Sequence, residues 1–223
     1  MLSLASRTFF RSRRLLTLSL LMFSQPDYAG MIDKEGMQPW EICGMCHNAN
    51  GISHMPKFPK LAGQKAGYLE AQIQAFREGQ RLNDGGQMQA IVGEITQTDI
   101  PKIAAYFSSL PSDTKVASTV QSFDTHQQQM LQQGHALFTQ GRQMVSACAN
   151  CHTSKSAHAP WIDGQHSQYL EKQMHDFYSG ERVSACAISD ALPDAQMQHG
   201  GRLTEAEIEA LAFYLSNLKL ERK

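Results

Sequence analysis

Cys43-Gly44-Met45-Cys46-His47 and Cys148-Ala149-Asn150-Cys151-His152 are two copies of one pattern, Cys-x-x-Cys-His, set 105 residues apart. Two thiols three residues apart can each form a thioether with a porphyrin vinyl group, and the imidazole that follows can reach the iron from one side. Four of the five cysteines and two of the nine histidines are committed in this way. The pattern predicts two covalently bound haem c groups, attached through Cys43, Cys46, Cys148 and Cys151, with His47 and His152 as axial iron ligands. The competing chemistry for a Cys-x-x-Cys pair is half of a zinc site. Zinc, however, requires neither a following methionine nor a long internal repeat, and this chain has both.

The repeat extends well beyond the cysteines. Pro59, Leu61, Gly63, Gln64, Tyr68, Leu69, Gln72, Phe76, Gly79 and Arg81 recur at an offset of 101 as Pro160, Ile162, Gly164, Gln165, Tyr169, Leu170, Gln173, Phe177, Gly180 and Arg182. Ile100, Ile103, Ala104, Tyr106, Phe107 and Leu110 match Ile208, Leu211, Ala212, Tyr214, Leu215 and Leu218 at an offset of 108. One unit is used twice. The expected organisation is an export signal over residues 1–30, a first haem domain over 31–110, a polar linker over 111–123 that begins Pro111-Ser112-Asp113-Thr114-Lys115, and a second haem domain over 124–223.

Each unit reads as helical, without a defensible strand. Tyr68, Leu69, Gln72, Ile73 and Phe76 recur at helical spacing up to a stop at Gly79, and Ile100, Ile103, Ala104, Phe107 and Leu110 trace an apolar stripe. Thr204-Glu205-Ala206-Glu207 is a capping box for the last helix. Its counterpart, Thr96-Gln97-Thr98-Asp99, runs into Pro101, which predicts a delayed or bent start. Helix is also expected ahead of each cysteine motif, long before Cys148 but short and broken by Pro39 before Cys43.

Of the 223 residues, 42% are hydrophobic and 18% charged, enough for two domains that each bury a core around a flat apolar cofactor. The formal net charge of −1 is uneven. Arg7, Arg11, Arg13 and Arg14 against Asp27 make residues 1–30 basic, and the body that follows is mildly acidic, with no electrostatic footprint for nucleic acid. Those arginines precede the apolar run Leu15–Phe23 and then small and polar residues up to Ala29-Gly30, the order of an export signal. The run is short for a bilayer span. Two fates are open for it, cleavage near Ala29 or retention as an anchor, and either places the body outside the cytoplasm, where haem is attached.

With these residues in view the chain resembles the dihaem cytochromes c4. The resemblance rests on two Cys-x-x-Cys-His units, each followed by Pro-x-Leu/Ile-x-Gly-Gln-x-x-x-Tyr-Leu-x-x-Gln, then Gly-x-Arg, then a methionine and a final helix carrying Ala-x-Tyr or Ala-Phe-Tyr, and it covers residues from about 35 to 220. It implies an all-α protein of two tandem cytochrome c-like domains about a pseudo-twofold axis. It further implies a periplasmic single-electron carrier, not an enzyme, that serves a respiratory chain and passes electrons toward a terminal oxidase. Redox proteins are the implied partners: a cytochrome bc complex, a terminal oxidase or a dehydrogenase, with peripheral membrane association compatible. By the same resemblance, the carbonyls of Pro59 and Pro160 hold the non-ligating nitrogens of His47 and His152. Two other roles stay open, a cytochrome subunit of a dehydrogenase such as a sulfide-oxidising flavoprotein, and a dihaem peroxidase with a displaceable ligand at one iron.

The sixth iron ligands are assigned by position to Met88 and Met197. Each follows the Tyr-Leu helix and is expected in an extended loop ahead of the final helix. Met45 lies inside an attachment motif, Met174 on a packing helix, and Met55 and Met144 near the proximal side. Arg81 and Arg182 are open between pairing with haem propionates and simple solvation, and the Gly-Gln pairs at 63–64 and 164–165 read as loop ends. Cys186 is expected to be a partly buried free thiol, with an intermolecular disulfide as the alternative. His54, His158 and His199 read as surface histidines, His199 being the substitute ligand should Met197 fail.

Overall fold

The computed structural model describes residues 32–112, 123–153, 159–182 and 202–219, all within one compact unit. The export signal, most of the linker, Met197, Cys186, His158 and His199 lie outside the described residues.

Seven α-helices make up the described fold, joined by loops and two short 3-10 turns. In the first domain α1 spans Glu41–His47, α2 Ala66–Arg77, α3 Gln87–Val92 and α4 Ile100–Ser109. In the second, α5 spans Thr125–Thr139, α6 Ser167–Ser179 and α7 Glu205–Asn217. No strand occurs among the described residues, only isolated bridges such as the antiparallel one between Arg81 and Arg182.

The duplicated stripes become two cores. Leu69, Ile73 and Phe76 of α2 meet Ile100, Ile103, Ala104 and Phe107 of α4, with Ile42 of α1 and Val92 of α3 closing the cluster. Leu170 of α6 meets Leu211, Ala212 and Leu215 of α7 against Leu137 and Phe138 of α5. Ala104 and Ala212 are fully buried, and a side chain of that size permits close helix approach. Gly63 and Gly164, at φ 66° and 65°, each donate a backbone N–H to the final helix of their own domain, to the carbonyls of Phe107 and Leu215. Glycine adopts that left-handed conformation without steric cost. The same freedom serves Gly79 and Gly180, which terminate α2 and α6 at φ 69° and 81°.

The expected capping box forms at α7: the Thr204 hydroxyl accepts from the Glu207 N–H, and the Glu207 carboxylate accepts from the Thr204 N–H. Arg142 grips the same carboxylate at 2.7 Å and holds Glu207 below its ordinary carboxylate range. At α4 the expected delay takes the form of a 3-10 turn over Gln97–Asp99, with Pro101 in the first helical turn, where its missing N–H costs nothing. The two approaches to the cysteines differ more than the repeat suggests. In the first domain α1 begins after Pro39 and carries the whole motif. In the second, the long α5 stops at Thr139, and Cys148–Asn150 is only a 3-10 turn.

Gly134 sits where α5 crosses α7, and a β-carbon there would lie 2.4 Å from both the Ala210 carbonyl oxygen and the Tyr214 Cβ. Gly134→Ala would gain about 1 kcal/mol of helix propensity in an open helix. The backbone contact outweighs that gain, since overpacking costs about 1–3 kcal/mol. Thermal unfolding is therefore expected to show a lower midpoint for Gly134→Ala than for the parent.

Candidate functional site

In the first domain, α1 brings Cys43, Cys46 and His47 onto adjoining turns. His47 is buried, and its Nδ1–H donates to the Pro59 carbonyl at 2.8 Å. That bond fixes the tautomer and leaves Nε2 as the nitrogen with a free lone pair, the form an iron ligand requires. Burial pulls His47 below its ordinary imidazole range, against the opposing pull of the Pro59 bond. Burial also pushes the Cys43 thiol up to about 12, helped by the neighbouring Cys46. Such a thiol stays protonated and apolar in character, matched to a hydrophobic macrocycle rather than to an ionic site.

The second domain repeats this chemistry on a different backbone. The His152 Nδ1–H donates to the Pro160 carbonyl at 2.9 Å, although its cysteines lie on a 3-10 turn rather than an α-helix. Burial is the main cause that lowers His152. The Pro160 bond opposes it, and the Lys65 ammonium from the first domain lowers it further. The Cys148 thiol is pushed up to about 11, again chiefly by burial. The prolines thus do more than shape a loop. Among the described residues no three His, Cys, Asp or Glu side chains converge as a metal-ion cluster would require.

Met37, like Met88, is partly buried against the first core. Met45, Met55 and Met144 are exposed and Met174 packs into the second core, whereas Met88 packs against the first core. Met88 does not sit in an extended loop. It lies in the first turn of α3, because Gly85 and Gly86, at φ 74° and 80°, turn the chain and Asp84 accepts the N–H groups of Gly86 and Met88. An Asp that caps a helix start just after its own position was the sequence signal for this turn.

The residues between the domains are where sequence reading was least informative. Gln64 and Gln165 do not merely end loops. The Gln64 amide donates to the Trp161 carbonyl and accepts from the Trp161 N–H, both at 2.8 Å; Gln165 does the same to Lys60, at 3.0 and 2.9 Å. Nor are the arginines solvated. Arg81 and Arg182 are 5% and 7% exposed. Arg81 donates to Gln72 of its own domain and to Tyr169 and Gln173 of the other, while Arg182 donates to Gln173 of its own domain and to Tyr68 and Gln72 of the other. Each guanidinium also lies on a phenylalanine of its own domain, 4.5 Å from the Phe76 ring and 4.6 Å from the Phe177 ring. Exchanging the two domains maps each of these bonds onto the other, which is the signature of a pseudo-twofold axis.

Two histidines with anchored Nδ1 and Nε2 left for a metal, each beside a pair of cysteines in an all-helical domain, are the binding apparatus of a c-type cytochrome, and this one is built twice. A cytochrome c family model matches residues 34–111 and again 131–219. Cytochrome c4 of Pseudomonas aeruginosa is 31% identical over 184 residues, covering 79% of this chain and 84% of that protein. The crystal structure of reduced recombinant cytochrome c4 from Pseudomonas stutzeri superposes with a TM-score of 0.63 at 29% identity, covering 84% of this chain and 99% of that one. A thiosulfate dehydrogenase electron acceptor of Stutzerimonas stutzeri is 27% identical over 183 residues, covering 79% and 78%. The chain belongs to the cytochrome c family, as a dihaem member of the cytochrome c4 type. It carries two covalently bound haem c groups and functions in electron transport.

Gln64→Leu removes the partner that serves both the N–H and the carbonyl of buried Trp161. A buried polar group deprived of its partner costs about 1–3 kcal/mol. The variant is expected to unfold at lower denaturant concentration than the parent, with the double variant Gln64→Leu, Gln165→Leu lower again.

Proposed function

We propose that this protein is an exported, periplasmic carrier that accepts and passes single electrons, with His/Met coordination at both irons: His47 and Met88 in the first domain, His152 and Met197 in the second. Cys43, Cys46, Cys148 and Cys151 hold the macrocycles, and the domains run over residues 31–110 and 124–223, joined by the linker at 111–123. The single observation that supports this best is the anchored histidine, Nδ1 on a proline carbonyl and Nε2 free, repeated in both domains.

When bound, haem c supplies a one-electron couple, and the chain's own residues decide how it is used. Pro59 and Pro160 fix the orientation and tautomer of the imidazoles, leaving Nε2 as the nitrogen available to a metal. The apolar cores would keep water away from the macrocycle. Met88, packed on the first core, would offer the first haem a thioether, a ligand that favours ferrous iron and raises the potential and whose presence would disfavour peroxidase chemistry.

Electrons pass toward a terminal oxidase in the reading we favour, with a cytochrome bc complex as donor. A second reading is favoured by a particular observation, the similarity to thiosulfate dehydrogenase electron acceptors. On that reading the donor is a dehydrogenase of an inorganic sulfur compound. Stopped-flow mixing with a thiosulfate dehydrogenase and thiosulfate separates the two: rapid reduction supports the second, and no reduction on that timescale supports the first. No helix among the described residues is long and apolar enough to cross a membrane.

The ligand assignment has its own test. The oxidised holoprotein is expected to show the weak methionine-to-iron band toward the red end of its spectrum, and Met88→Ala or Met197→Ala should each remove about half of it and lower one potential. A parent spectrum without the band, or an unchanged second haem in Met197→Ala, would place the ligand elsewhere, with His199 next in line.

A further inference from the structure

Most of the contact between the domains is self-complementary. Gln64, Tyr68, Gln72 and Arg81 recur as Gln165, Tyr169, Gln173 and Arg182, and each set bonds the other domain in the same way. A face of this kind fits the like domain of a second copy of the chain as well as the unlike domain of its own. One corner breaks the symmetry. Asn83, two residues beyond Arg81, is 9% exposed, and its side chain is fully used. Its amide donates to Gln173 Oε1 at 3.0 Å and to the Asp176 carboxylate, and its Oδ1 accepts from Arg81 Nε at 2.9 Å. The Asn83 backbone carbonyl accepts from the Lys172 ammonium at 2.6 Å, and the same ammonium meets Asp176 one turn further along α6. Asp176 is 5% exposed, so the corner is a buried carboxylate–amide pair across the junction. The repeat does not encode a second one. At the offset of 101, Lys172 and Asp176 correspond to Ala71 and Ala75, and Asn83 to Ser184, which lies outside the described residues. An alanine side chain neither donates nor accepts.

We propose that Asn83, Asp176 and Lys172 set the pairing specificity of this face: they admit a first domain against a second domain and reject two like domains, the rejected partner being a second copy of this chain. In a first–first pairing each Asn83 would meet Ala75 and Ala71. An amide N–H would then be buried without its carboxylate and a backbone carbonyl without its ammonium, once on each side of the axis. In a second–second pairing each buried Asp176 would meet a serine in place of the asparagine amide, and two carboxylates would share one contact. Each mismatch weakens a like pairing by about five- to a hundredfold, because a buried polar group that loses its partner is penalised beyond the worth of the bond. Selection thus comes from what the wrong partner leaves unpaired. The linker raises the local concentration of the unlike domain, but it does not select among faces when copies meet. Every particle therefore contains one haem domain of each kind. The selection depends on the paired domains alone, not on the sixth ligands or the direction of electron flow.

The test moves the corner within the full-length holoprotein. Lys172→Ala and Asp176→Ala remove it from the second domain, and Ala71→Lys and Ala75→Asp install it on the first. Two first domains would then satisfy both copies of Asn83, and a first–second pair would satisfy neither. In sedimentation velocity over a dilution series the parent is expected to stay monomeric and the fourfold variant to form a dimer as concentration rises. Cross-links between isotope-labelled and unlabelled copies should join first domain to first domain. A fourfold variant that keeps the parent's visible spectrum yet stays monomeric, one that dimerises through its second domains, or a parent that dimerises through like domains overturns the proposal. A second measurement needs no rebuilt face and decides alone should the fourfold variant fail to fold. Asn83→Ser and Asp176→Ala each give one domain the residue of the other, and the two single variants and the double are compared by denaturant unfolding. The double is expected to lose less than the product of the single losses, by about fivefold or more in the unfolding equilibrium. Independent losses mean that the two residues are not matched to each other, and the proposal falls.

Discussion

A buried imidazole with one nitrogen tied to a carbonyl is the constraint on which the rest of this molecule depends. Burial disfavours protonation of His47 and His152, and the bonds to Pro59 and Pro160 settle which nitrogen keeps its proton. To place a proline carbonyl at 2.8–2.9 Å from the ring, the chain must leave the cysteine motif, loop back, and be held there. The holding is done by Gly63 and Gly164, which pin the end of each loop to the last helix of the domain. The final helix therefore serves the site although none of its side chains is a proposed ligand. Its buried alanines let it lie close enough for that bond to form.

The same loops build the contact between the domains. Gln64 and Gln165 follow the pinned glycines directly, and each satisfies a backbone N–H and a backbone carbonyl of the other domain's proximal loop. A displacement of one domain would thus act on both histidine anchors. Around the axis, two guanidinium groups donate to glutamine and tyrosine oxygens of both domains.

Departures from symmetry carry as much information as the repeat. Ala75 in α2 corresponds to Asp176 in α6, and the buried Asp176 binds Asn83 of the first domain and Lys172 of its own helix. Lys65 corresponds to His166, and Lys60 to Trp161. The cysteines of one domain lie on an α-helix and those of the other on a 3-10 turn. Each change falls on the shared face or next to a histidine, while the packing of α2 on α4 is repeated by that of α6 on α7.

Much was legible in the sequence by itself. Two Cys-x-x-Cys-His motifs, a repeat of about 100 residues and apolar stripes of helical period determined the cofactor, the duplication and the all-α class, because covalent attachment needs residues adjacent in the chain and a helix buries residues at a fixed spacing. The capping box at Thr204 and Glu207 was equally local. What only the tertiary structure decided were interactions between residues about 100 positions apart: the glutamine exchanges, the burial of Arg81 and Arg182, and the reach of Lys65 to Thr153. Sequence could not distinguish a solvated arginine from one on an axis, since both satisfy the same Gly-x-Arg pattern. It also placed Met88 in an extended loop, where the capping of Asp84 on a turn made by two glycines gives a short helix instead. Side chains that act along their own segment are written in its period, whereas those that act across a junction depend on which surfaces meet, and that follows from the packing of the whole.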